Sequence, residues 1–102
     1  MDWIDELNLF NKAAKKIVKS YGLVVVGGGC GDEDYAFPDD PGNSFVTLLG
    51  DDGGASIFDG SKCEMYGDLR GFVDDYEKVR PLDEIERFRD DMEKVVKKIR
   101  GS

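Results

Sequence analysis

The stretch Phe45–Tyr66, FVTLLGDDGGASIFDGSKCEMY, contains three short apolar segments separated by glycine-rich connections. These segments are rich in the β-branched and aromatic residues that favour strands; they are Phe45–Leu49, Ala55–Phe58 and Lys62–Tyr66. Asp59-Gly60 tolerates the positive φ angles of a tight hairpin, and residues 51–54 form a longer connection of similar composition. Consecutive short strands joined by such turns predict an antiparallel meander.

Two amphipathic patterns flank the meander. From residue 2 to residue 20, apolar side chains recur every three or four positions, which predicts a helix with Asp2 as its N-cap and Gly22 beyond its end. Residues 81–100 repeat the pattern between Pro81 and Gly101. In both segments acidic residues come first and basic residues come last, as the helix dipole favours.

These elements together predict an α+β fold. We expect an N-terminal helix, an antiparallel meander sheet of three to five short strands and a C-terminal helix, with both helices packed on one face of the sheet. Leu23–Val26 is a continuous apolar run, and we expect it to be a buried strand of that sheet. With 102 residues, the chain is expected to form a single small acidic domain over residues 1–102.

Two segments have no clear assignment from the pattern. Residues 68–80 suit either a helix or an edge strand, and we favour the strand. Gly27–Asn43 has neither periodicity and contains Pro38 and Pro41. Because this segment is longer than most loops in compact domains, we expect an irregular loop that is either disordered or functional.

The charge of the chain is concentrated in its middle. The net charge is −8, from 14 basic and 22 acidic residues, and no Lys or Arg occurs between Ser20 and Ser61. An acidic surface repels the phosphates of nucleic acids and membranes, and it attracts basic surfaces of other proteins. We therefore expect a protein partner with a basic surface, and no direct binding to nucleic acid or to a membrane.

Motifs for catalysis or cofactor binding are weak. The chain has no His to activate a nucleophile, and the glycines after Val26 do not fit the spacing of a dinucleotide-binding loop. Cys30 lies beside three acidic residues that favour its neutral thiol, and we expect both it and Cys63 to be reduced. No acidic cluster has the spacing of an EF-hand. We predict no enzyme activity, no metal and no cofactor, with a hydrolase or a calcium-binding protein as the alternative.

The chain shows no targeting or membrane-spanning pattern. Its first residues place acids before bases without a continuous apolar stretch, unlike a secretory signal. Its longest purely aliphatic run, Leu23–Val26, is far shorter than the about 20 residues that cross a bilayer. We expect a cytoplasmic protein.

The acidic middle of the chain is the predicted partner-binding region. Its residues are Asp32, Glu33, Asp34, Tyr35, Phe37, Asp39, Asp40, Asp51 and Asp52. We interpret the chain as a non-catalytic domain that blocks a basic surface of a partner, such as a nucleic-acid-binding groove. The size and charge resemble those of phage anti-defence inhibitors and nucleic-acid mimics, which is an analogy of class and not a motif match.

Other interpretations of the same residues remain open. Tyr35 and Phe37 could anchor the partner of a structural or adaptor domain whose charge is incidental. Their rings could instead fold back onto the sheet. The acidic charge could also serve solubility alone.

Overall fold

The computed structural model describes residues 2–29, 31–50, 54–67 and 80–101, apart from the side chain of Trp3. Within these ranges the chain forms two α-helices, one 3₁₀ turn and five strands. In chain order the elements are α1 (Trp3–Ser20), β1 (Val24–Gly27), β2 (Glu33–Ala36), β3 (Val46–Leu48), β4 (Ala55–Phe58), β5 (Cys63–Tyr66), the 3₁₀ turn (Pro81–Asp83) and α2 (Glu84–Arg100).

The five strands form one sheet in the order β1-β2-β3-β4-β5, and each is antiparallel to its neighbours. This topology confirms the predicted α+β fold, in which a meander sheet lies between an N-terminal and a C-terminal helix. Among the described strands, β1 and β5 form the two edges of the sheet.

The helix ends follow the chemistry that the sequence indicates. Asp2 caps α1, because its Oδ1 atom accepts a hydrogen bond of 2.9 Å from the Asp5 N–H. Pro81 begins the 3₁₀ turn that leads into α2, where its lack of an N–H carries no penalty. Gly101 ends α2 at a φ of 73°, in the left-handed region that glycine adopts without strain.

The hydrophobic core lies between the helices and one face of the sheet. Its most buried members come from both helices and from β2 to β5, and they include Phe10, Val18, Tyr35, Val46, Ile57, Tyr66, Phe88 and Met92. The Phe88 ring packs edge-on against the rings of Phe10 and Tyr66, with centroids 5.9 Å and 5.3 Å away. This ring cluster joins α1, α2 and β5.

The opposite face of the sheet is more polar. Residues directly opposite each other in neighbouring strands share a face, and Asp34, Thr47, Ser56 and Met65 form one such row from β2 to β5. All four side chains are half-buried. One acidic residue of the predicted binding region, Asp34, therefore lies on the face that points away from the core.

The structure corrects the prediction of an irregular loop at Gly27–Asn43, because Glu33–Ala36 forms strand β2 within it. Glu33 and Asp34 have low strand propensity, but Tyr35 lies opposite Val46 of β3 and is only 1% exposed. Packing of this large aromatic side chain in the core outweighs the local preference of its acidic neighbours.

The structure also corrects the prediction of a fully buried strand at Leu23–Val26. Leu23 is buried, but Val24, Val25 and Val26 are 42%, 50% and 36% exposed. The reason is the position of β1 at the edge of the sheet, with a neighbour on one side among the described strands. The strand predicted over residues 68–80 lies outside the described residues, except for Arg80, which belongs to no helix or strand.

Replacement of Phe88 by Ala should destabilise the fold strongly, because the side chain is fully buried and joins three elements. We expect the free energy of unfolding to fall by about 3–5 kcal/mol, measured by urea denaturation. Phe58→Ala is the matched control, since Phe58 is 47% exposed, and it should cost less than about 1.5 kcal/mol. Equal losses in the two variants would contradict the described core.

Candidate partner-binding surface

The acidic stretch from Asp32 to Asp40 does not form one loop, because β2 divides it. The four residues of β2 extend over about 10 Å. A first acidic group, Asp32 to Asp34, lies at the start of this strand. A second acidic group, Asp39 and Asp40, follows its other end. The two groups therefore meet different parts of the molecule.

Two carboxylates of the first acidic group are held by neutral donors. The Asp32 Oδ1 atom accepts a hydrogen bond of 3.3 Å from the Gly50 N–H. The Asp34 Oδ1 atom accepts one of 2.6 Å from the Thr47 hydroxyl on β3. Both acidic side chains are half-buried. These donors orient the carboxylates and leave their negative charge uncompensated.

The connection after β3 approaches the connection after β1 closely at Gly50. A Cβ atom on Gly50 would lie 2.1 Å from the Gly31 carbonyl oxygen, so only glycine allows this backbone contact. Asp51 and Asp52, which were predicted to bind the partner, lie outside the described residues. Gly50, which directly precedes them, is hydrogen-bonded to Asp32.

Glu33, the third member of the first group, faces the helices. Its carboxylate lies 3.6 Å from the Lys15 Nζ atom of α1 and accepts a hydrogen bond of 3.2 Å from the Tyr35 hydroxyl. Burial, and then the negative charge of Glu33, raise the pKa of Tyr35. Glu33 thus has a cationic partner, unlike Asp32 and Asp34 among the described residues.

The second acidic group is tied to the C-terminal end of α2. Two Arg100 nitrogens donate to the Asp39 carboxylate at 3.0 Å and 2.5 Å, and these bonds lower the pKa of Asp39. The neighbouring Asp40 accepts a hydrogen bond of 2.8 Å from the Asn43 amide. The charge of Asp39 is therefore compensated, while Asp40 has a neutral donor.

Burial removes the two predicted aromatic residues from the accessible surface. Tyr35 is 1% exposed and Phe37 is 9% exposed. The Phe37 ring packs against the Phe45 ring at 5.7 Å, and the Arg100 guanidinium lies 3.6 Å above the Phe37 ring. Both rings act inside the fold, so neither offers a partner an exposed aromatic anchor.

Three acids of the predicted region lack a direct ion pair, although the charge of Arg100 also interacts with that of Asp40. In the part of the chain that the structure describes, Asp32, Asp34 and Asp40 make no ion pair with Lys or Arg. Several acids on α2 differ, because they pair with bases of the same helix; these pairs include Glu84–Arg87, Glu86–Arg89 and Glu93–Lys97. The unpaired charges of Asp32 and Asp34 thus lie close together at the start of β2.

The exposed edge strand β1 is a feature that the sequence pattern did not reveal. It lies beside the first acidic group, and its residue Gly27 pairs with Asp34. A Cβ atom on Gly27 would lie 3.4 Å from the Asp34 Oδ2 atom. The Asp34 carboxylate is therefore in contact distance of the space that a side chain at position 27 would occupy. A continuous apolar run occurs in central and edge strands alike, and only strand order distinguishes them.

A cleft of about 370 Å³ lies between α2 and the β4–β5 hairpin. Inside it the Tyr66 hydroxyl donates to Asp91 at 2.7 Å, and burial together with this bond raises the pKa of Tyr66. Two of its cations are also engaged: Lys98 donates to the Asp59 carbonyl oxygen at 2.9 Å, and Lys62 lies 2.9 Å from Glu64. The contacts of Asp91 and Lys98 join α2 to the hairpin.

Neither a metal centre nor a membrane span emerges from the described ranges. Residues 2–29, 31–50, 54–67 and 80–101 contain no group of three or more His, Cys, Asp or Glu side chains that could hold a metal ion. No helix in these ranges is both long enough and apolar enough to cross a membrane. Cys63 carries a free, exposed thiol, and Cys30 lies outside these ranges.

Comparisons with known proteins identify no relative. No protein-family model, no curated protein and no solved structure matches the chain. The function must therefore be argued from the residues of this chain alone.

Replacement of Arg100 by Gln should raise the pKa of Asp39 toward its ordinary value of about 3.9, measured by NMR titration of the carboxyl group. A lowered pKa in the folded state means that the pair stabilises the fold above the ordinary pKa. That contribution is lost as the pH falls through the lowered pKa. The stability difference between wild type and variant should therefore shrink below about pH 4.

Arg89→Gln is the control for this titration. It removes the same charge from α2, but Arg89 pairs with Glu86 and has no bond to Asp39. The pKa of Asp39 should stay low in this variant. A rise of similar size in both variants would show that net charge, and not the Arg100 contact, lowers the pKa of Asp39.

Proposed function

We propose that this chain is a non-catalytic, acidic protein-binding domain that blocks a basic surface of a partner protein. The observation that carries the proposal is the state of Asp32, Asp34 and Asp40. Each carboxylate is oriented by a neutral hydrogen-bond donor, and none forms an ion pair in the described part of the chain. Fixed carboxylates without a direct ion pair suit electrostatic recognition of a basic partner.

The fixed orientation of these carboxylates favours recognition over solubility alone. Solubility requires only net charge, and mobile side chains supply it equally well. Holding Asp34 against Thr47, and Asp32 against Gly50, sets the spacing between negative charges on the surface. A partner with matching Lys or Arg residues then loses less side-chain entropy when it binds.

The partner class follows from the same chemistry. Proteins that bind nucleic acids carry Lys and Arg surfaces built for phosphates, and a rigid set of carboxylates can occupy such a surface. A net charge of −8 also increases the rate of encounter with a basic partner at low salt. We therefore place the chain with anti-defence inhibitors and nucleic-acid mimics by analogy of charge, and we propose that it acts in the cytoplasm.

The triple variant Asp32→Asn, Asp34→Asn and Asp40→Asn tests the proposal. The Asn amide oxygen can still accept the hydrogen bonds from Gly50, Thr47 and Asn43, so the variant removes charge with little change of shape. We expect binding to a partner captured from cells to weaken about tenfold, and its salt dependence to flatten. Calorimetric titration at two salt concentrations measures both effects.

A second triple variant serves as the charge-matched control. Asp83→Asn, Asp90→Asn and Glu93→Gln remove the same formal charge from exposed positions on α2 and the turn before it. Partner affinity should change far less in this variant. Equal weakening of partner binding by both variants would show that net charge alone accounts for the effect. Unchanged affinity in the first variant would refute the proposal.

Competition by duplex DNA examines the nature of the partner surface. If the domain occupies a nucleic-acid-binding groove, increasing DNA should release the captured partner from wild-type protein, and pre-bound wild-type protein should exclude DNA. A complex that binds DNA without releasing the domain would place the contact elsewhere on the partner.

A further inference from the structure

Among the strands that the structure describes, β1 is an edge strand without protecting residues. Val24, Val25 and Val26 are 42%, 50% and 36% exposed, and the strand contains no charged residue and no proline. Natural edge strands normally carry such residues to prevent pairing with other chains. An exposed edge made of three valines is therefore suited to accept another strand.

The N–H and C=O groups of Val25 point away from β2, toward the side of β1 where no described strand lies. Tyr35 of β2 lies opposite Val25, and its carbonyl oxygen accepts a hydrogen bond of 3.1 Å from the Phe45 N–H on the β3 side. The Tyr35 C=O thus points toward β3. Its N–H points the same way, because the two groups of one strand residue lie on the same side of the strand. Because antiparallel pairs alternate between bonded and non-bonded positions, the Val25 N–H and C=O point away from β2. No described strand lies on that side of β1, so these groups can pair with an added strand.

Negative charge lies within reach of this edge. The Asp34 Oδ2 atom lies 3.4 Å from the Cβ position of Gly27, and Gly27 has no side chain to cover it. An added strand would lie about 10 Å from β2, which is two strand spacings. A Lys or Arg side chain on the added strand can span this gap across Gly27 and meet the Asp34 carboxylate.

We propose that β1 is a docking strand, and that an extended segment of the basic partner carrying Lys or Arg adds to it as a sixth strand of the sheet. This inference rests on the proposed function and specifies how the partner binds. Backbone hydrogen bonds to Val25 supply the pairing, and Asp34 selects basic side chains. A second copy of this chain is a poorer occupant, because each copy carries a net charge of −8.

A synthetic peptide in which Lys and Val alternate is the probe, and a peptide in which Glu and Val alternate is its matched control. The Lys–Val peptide should bind and slow hydrogen exchange at the Val25 amide, measured by NMR. Val25→Pro removes the outward N–H at an edge position that tolerates proline, and should weaken binding about tenfold. Val25→Thr retains the N–H and the branched shape, and should bind like wild type.

Hydrogen exchange at Val25 needs no variant, so the test stands even if Val25→Pro fails to fold. An unprotected Val25 amide in the peptide complex would overturn the docking strand. The proposed function would still hold in that case if replacement of Asp32, Asp34 and Asp40 weakened binding to the captured partner. If the Glu–Val peptide bound as tightly as the Lys–Val peptide, the inference that the added strand is basic would be wrong. Concentration-dependent protection of Val25 without peptide would identify a second copy as the occupant and overturn the proposal.

Discussion

The burial of Tyr35 is the constraint on which the acidic surface depends. This side chain is 1% exposed and draws the sequence Glu-Asp-Tyr-Ala into the sheet between β1 and β3, although its acidic residues favour turns. Once Tyr35 faces the core, strand alternation places Asp34 on the opposite face, beside Thr47. The same pairing leaves Asp32 at one end of β2 and Asp39 beyond the other. The positions of Asp32, Asp34 and Asp39 relative to the sheet thus follow from the strand that holds this buried ring.

Local sequence patterns were sufficient for the elements whose own residues favour them. The helices have a regular apolar spacing, a capping Asp2 and a terminal Gly101, and β4 has a hairpin turn after it, so both kinds of element could be predicted. β2 could not, since its stability comes from pairing and from Tyr35 packing at long range. The edge position of β1 could not be predicted either, because a valine run carries no information about its neighbours in the sheet.

The candidate site shows the same division. Composition alone located the acidic region, but it did not indicate which charges are compensated. Arg100 reaches Asp39 across 61 positions of the chain, while Thr47 bonds Asp34 across 13 positions. An ion pair and a neutral hydrogen bond have opposite consequences for the surface field. That difference depends on strand register and on the course of α2, and neither is encoded locally.

The edge strand and the adjacent carboxylates are best understood together. An apolar edge without protecting charges invites pairing between copies, which most proteins prevent with Lys or Glu on the strand itself. In this chain the protecting charge lies one strand away, on Asp34, and it extends over Gly27. Two copies approaching edge to edge would bring like charges together, whereas a basic segment would meet opposite charge at the same place. This arrangement of edge and charge supports the proposed docking of a basic segment in preference to a second copy.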